Sequence, residues 1–135
     1  MANKIYPLYK TALMTGLPNV NLLSGAVKTI MIHVASYTYS DAHQFLSDIP
    51  GGAQISISGA LASKSVVNGA FLSGTGRCTS VSGLEVEAIV LFIDTGSPAT
   101  SPLVAYLDTG ITGLPVTPAG ASYNLIPDAT GWFIL

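Results

Sequence analysis

The chain has 135 residues, a single cysteine and a formal net charge of −2. That length fits one domain, residues 1–135, able to bury a core without metal or disulfide staples, and the lone Cys78 excludes an internal disulfide and agrees with a reducing compartment. The slight negative charge offers no field for nucleic acid or an acidic membrane surface, so neither is expected as a partner.

The first segment, Met1 to Gly16, has no continuous apolar leader. Pro7 argues against a central strand there, so it reads as an extended N-terminal arm or edge segment leading into a short strand. Leu17-Pro-Asn-Val-Asn is a turn. Val27 to Val34 alternates as a strand, with Ile30, Ile32 and Val34 on one face and Thr29, Met31 and His33 on the other. Ser40 to Ile49 reads as the one short helix: Ser40 caps, Asp41 favours the first turn, and Ala42, Phe45, Leu46 and Ile49 form one stripe before Pro50-Gly51-Gly52.

Ile55 to Ser58 alternates as a half-exposed strand. Val66 to Leu72 is a tight hairpin, because Asn68-Gly69 accepts the positive φ of a two-residue turn. A short strand is expected around Arg77 to Val81. Leu84 to Asp108 is the densest apolar stretch. Leu84, Val86, Ala88, Val90 and Phe92 are apolar throughout; the opposite parity passes from Glu85 and Glu87 to Ile89, Leu91 and Ile93. This is the pattern of a strand entering a sheet covered on both faces. Asp94 to Pro98 turns the chain and Leu103 to Leu107 returns. After a loop rich in Gly and Pro, Ala121 to Ile126 and Gly131 to Leu135 are the last expected strands. Short strands with regular turns indicate an all-β sandwich or barrel-like domain. Nothing approaches the ~18 apolar residues of a membrane span.

Only 9% of the residues are charged, against about 25% in ordinary soluble domains. Mean hydropathy is +0.54. A surface so thinly ionised is poorly protected against self-association, and cover by other subunits accounts for it. The alternative is a monomer wetted by Ser, Thr, Asn and Gly.

Leu91 to Ser97 matches the apolar-apolar-Asp-Thr-Gly-Ser signature of aspartic peptidases, and a second Asp-Thr-Gly begins at Asp108. That chemistry needs two carboxylates close enough to share a proton. At opposite ends of one hairpin they stand more than about 15 Å apart, so only a homodimer could pair two copies of Asp94. The buttressing apolar-apolar-Gly element of that family is not evident after residue 110, and Asp-Thr-Gly is also ordinary turn chemistry. His33 and His43 have no ligand-spaced neighbours, so no metal or other cofactor is expected. Cys78 reads as a packed thiol.

Five phrases together resemble a widespread family of small virion proteins of tailed bacteriophages: Asn21-Leu-Leu-Ser-Gly, Ser36-Tyr-Thr-Tyr-Ser-Asp-Ala-His-Gln-Phe-Leu-Ser-Asp-Ile-Pro, Val81-Ser-Gly-Leu-Glu-Val-Glu-Ala-Ile-Val, Ser101-Pro-Leu-Val-Ala-Tyr-Leu-Asp and Gly113-Leu-Pro-Val-Thr-Pro. The likeness runs from Asn21 to the C-terminus. It departs from the family pattern in the N-terminal arm and in the more apolar stretch from Asp128 to Leu135. The resemblance implies a non-enzymatic capsid decoration or cement protein, made in the bacterial host cytoplasm and placed on the capsid surface of the virion. Its expected fold is a jelly-roll-like β-sandwich of about eight short strands with one short helix. Its expected partners are itself, as a dimer or trimer, and the major capsid protein of the phage head. Tyr6, Leu8, Tyr9, Trp132 and Phe133 are the expected assembly anchors. A tail, baseplate or fibre-base component that binds a receptor or carbohydrate would share this composition.

Overall fold

A computed structural model of the chain describes residues 3–127 and 129–135. The expected N-terminal arm is therefore seen from Asn3 onward, and Asp128 lies outside the described residues. The elements in chain order are β1 (Lys4–Ile5), α1 (Pro7–Thr15), β2 (Ala26–Ile32), β3 (Gln54–Ile57), β4 (Ser65–Val67), β5 (Ala70–Leu72), β6 (Gly76–Cys78), β7 (Ala88–Asp94), β8 (Leu103–Leu107), β9 (Tyr123–Leu125) and β10 (Phe133–Ile134). All pairings are antiparallel. They form a five-stranded sheet in the order β1-β8-β7-β2-β3, a three-stranded sheet β10-β5-β4 and a two-stranded sheet β6-β9. The all-β class expected from the sequence is what the chain adopts.

The apolar hairpin is the centre of the molecule. Every residue of β8, and every residue of β7 up to Ile93, is buried. A strand buried on both faces needs cover on both, and it has it. On the face of Val90 and Tyr106, which pair across β7 and β8, the Tyr106 ring meets those of Tyr37 and Tyr39. On the face of Thr29, β6 lies so close that a Cβ added to Gly76 would stand 2.9 Å from Thr29 Oγ1. A glycine is what that approach allows. β7 is shorter than the apolar run suggests. Val86 is buried and bridges Val116, but Leu84 is 53% exposed and lies outside the sheet. Likewise β2 stops at Ile32, and Val34 enters a single 3₁₀ turn.

Two expectations are corrected. The arm before Gly16 is not extended beyond β1: Pro7 is the first residue of α1, where its missing N–H costs nothing and its fixed φ suits a helix. Tyr9 and Ala12 face the core, and Gly16 (φ 70°) ends the helix in the left-handed region with its N–H on the last carbonyls. Conversely, Ser40–Ile49 is not an α-helix. Its backbone is claimed by other partners: Leu46 N–H binds Ser101 O, Ser47 N–H binds Pro98 O, and Gln44 O accepts from Leu103 N–H. Asp48 Oδ2 accepts from the N–H groups of Gln44 and Phe45, leaving only a 3₁₀ turn at Leu46–Asp48. The segment clasps the β7–β8 loop instead of coiling.

Candidate assembly surface

The residues expected to carry assembly separate into two groups. Tyr6, Tyr9 and Trp132 are 0%, 1% and 3% exposed. They belong to the chain's own core and offer no side chain to a neighbour. The Tyr6 hydroxyl lies 2.7 Å from that of Tyr37, which lies 2.8 Å from His43 Nδ1. Tyr9 donates to Val20 O, and Trp132 Nε1 donates to Ser73 Oγ at 2.7 Å. Only Leu8 and Phe133 remain half-buried. Burial raises the hydroxyl pKa of Tyr6 above the usual phenol range, with the Tyr37 hydrogen bond adding to it, and pushes Tyr9 up to about 12.

Exposed apolar side chains lie elsewhere: Met14, Leu17, Leu23, Ile57, Leu84 and Ile126 are scattered over other elements and loops, and a group gathers on and beside the three-stranded sheet. Val66 and Val67 are 48% and 56% exposed, and Ile134 and Leu135 are 62% and 57%. Register places Val67, Ala70 and Ile134 side by side across β4, β5 and β10, so one apolar row crosses the whole sheet. The hairpin turn is as expected: Asn68 and Gly69 have φ of 50° and 81°. The signal for the exposure was in the sequence. Two consecutive valines on one hairpin arm must point to opposite faces, so at most one can enter the core.

Between β1 and β10 runs an open groove of about 710 Å³. Ile5, Leu107, Ile111 and Phe133 supply its apolar wall, and Lys4, Lys10 and Asp41 its charged rim. The Lys4 ammonium sits 5.6 Å from the Tyr39 ring centroid.

The other singled-out groups have local partners. Asp94 Oδ2 lies 2.6 Å from Lys28 Nζ and its Oδ1 accepts from Gly96 N–H at 2.8 Å. Those two contacts, Lys28 first, hold its carboxyl below the usual range. Asp108 follows Leu107, which pairs with Ile89 at the other end of β7. Asp94 and Asp108 are therefore about 20 Å apart along the strands, and one chain does not bring them together. His33 Nδ1 lies 2.7 Å from Glu85 O and 3.3 Å from Glu87 Oε1. Cys78 is fully buried, which raises its thiol pKa. Among the described residues, no three His, Cys, Asp or Glu side chains converge to hold a metal, and no helix is long and apolar enough to cross a membrane.

No family model matches the chain, and no curated protein matches it.

Proposed function

We propose that the protein is a non-enzymatic assembly protein, a decoration or cement protein that binds copies of itself and the major capsid protein on a tailed-phage head. The observation that carries an adhesive role is the row of exposed apolar side chains on the β4–β5–β10 sheet, in a chain with so few charges to keep copies apart. The resemblance of Asn21 to Leu135 to phage virion proteins supplies the particle. The mechanism is burial of apolar area at many symmetric contacts, each modest and together additive around a shell. A jelly-roll-like sandwich belongs to the same reading.

The test is to locate the chain on purified particles of the phage that encodes it, by cryo-EM with difference maps against particles lacking it. Density on the outer head surface at symmetry-related positions is the expected result. Density in the tail or baseplate would move the role to a tail or fibre-base component, and absence from particles would end the reading.

A further inference from the structure

The groove between β1 and β10 is bordered by strand edges on two sides. Tyr6 N–H binds Val104 O at 3.0 Å, and Lys4 is opposite Tyr106. Alternation along an antiparallel ladder therefore turns the N–H and C=O of Ile5 away from β8. On the opposite wall, Leu135 N–H binds Gly69 O at 2.8 Å and Ile134 lies opposite Ala70. The same alternation turns the N–H and C=O of Ile134 away from β5. Among the described residues, neither uses those groups elsewhere. Both residues line the groove.

We infer that this groove takes an extended, acidic peptide segment of a partner chain by strand addition, pairing with the open backbone groups of Ile5 and Ile134. Unpaired backbone at a strand edge is satisfied most fully by another strand. Charge selects which strand. Lys4 and Lys10, two of the chain's five cations, stand at this groove, and among the described residues that line it Asp41 is the one carboxylate. Lys10 is exposed and has no ion-pair partner among the described residues. The apolar wall takes alternate side chains of the segment, while its carboxylates meet the ammoniums.

Such a partner presupposes the assembly role above, but the test uses only the full isolated chain. The probe is acetyl-Thr-Val-Glu-Val-Glu-Val-amide, titrated into isotope-labelled protein and followed by amide NMR. The expected result is saturable shifts at Ile5 and Ile134, affinity at least tenfold weaker for K4E/K10E, and loss of binding when alternate peptide amides are N-methylated. Circular dichroism confirms that the double variant is folded; a neutral peptide with Gln for Glu gives the same charge comparison on the parent chain. Equal binding by the N-methylated or the Gln peptide, shifts confined to other residues, or no binding would overturn the proposal. So would self-association of the parent chain that shifts these two amides, which would make a second copy the occupant. A failed titration leaves the particle assignment standing, and absence from particles leaves the groove result standing.

Discussion

Lys28 Nζ lies 2.6 Å from Asp94 Oδ2, a diagonal contact between β2 and β7 at the hairpin end of the sheet. The same aspartate caps its own turn through Gly96 N–H. Its carboxyl is held low, chiefly by the lysine, so the folded state favours the ionised form more than the unfolded chain does. The stabilisation is present above the unfolded pKa and is lost as pH falls through the folded one.

Asp94→Asn keeps an oxygen for the turn and removes the charge. It is expected to cost no more than about 1 kcal/mol at pH 7, as for a partly exposed pair. The deficit relative to the parent should vanish at pH values below the folded carboxyl's titration. Urea denaturation at neutral and acidic pH measures both. A cost that persists in acid would mean the ion pair is not the source.

The tyrosine chain makes an asymmetric prediction. Tyr6→Phe leaves the Tyr37 hydroxyl still bonded to His43 Nδ1 and should cost about 0.5–1.5 kcal/mol. Tyr37→Phe leaves the Tyr6 hydroxyl buried with no partner and should cost about 1–3 kcal/mol. The order of the two unfolding midpoints is the check. Burial also pushes Tyr37 and Tyr9 up to about 12. Their neutral forms stabilise the fold below pH ~10, the unfolded tyrosine value. That contribution falls as pH rises toward the folded values, so alkaline unfolding should begin above the ordinary phenol range and coincide with phenolate absorbance.

Two glycines with positive φ separate strain from collision. Gly96 (φ +93°) has nothing within 4 Å of an added Cβ, whereas at Gly131 (φ +109°) that Cβ would stand 2.6 Å from Phe71 O. Gly96→Ala should cost about 1–3 kcal/mol from backbone strain alone. Gly131→Ala must also displace backbone between β5 and the start of β10, so its unfolding midpoint should fall further. Equal midpoints would contradict the close approach of Gly131 to the Phe71 carbonyl.

The central hairpin and the Asn68-Gly69 turn were legible because each is a local pattern with one physical meaning. Two-sided apolarity demands two-sided cover, and Asn-Gly accepts positive φ. The helix was misplaced for two different reasons. Pro7 breaks a strand but equally starts a helix, and Leu8, Tyr9, Ala12 and Leu13 lie on one helical stripe. Ser40–Ile49 has good helical spacing, but its N–H groups find acceptors in Ser101 and Pro98, some fifty residues away. No local window contains that competition. The anchors meet a similar limit: hydropathy says that Tyr6, Tyr9 and Trp132 must be buried, not that the burying surface is their own chain, as it is here.

The apolar row on the small sheet gives the most direct test of adhesion. Val67 is 56% exposed and sits on the edge strand β4, beside Ala70 and across from Ile134. A lysine there removes apolar area from the surface and places a charge on an open strand edge, the device by which soluble proteins discourage edge-to-edge contact. Because the native side chain packs little within its own chain, Val67→Lys should change unfolding free energy by no more than about 0.5 kcal/mol. Self-association should nevertheless drop, read as a shift of the sedimentation distribution toward monomer at the same concentration. Val27→Ala, at a fully buried position, should do the reverse and lower stability without relieving association of the folded chain. If Val67→Lys leaves the distribution unchanged while the parent associates, the copies meet through another surface, and the exposed row is not what holds them.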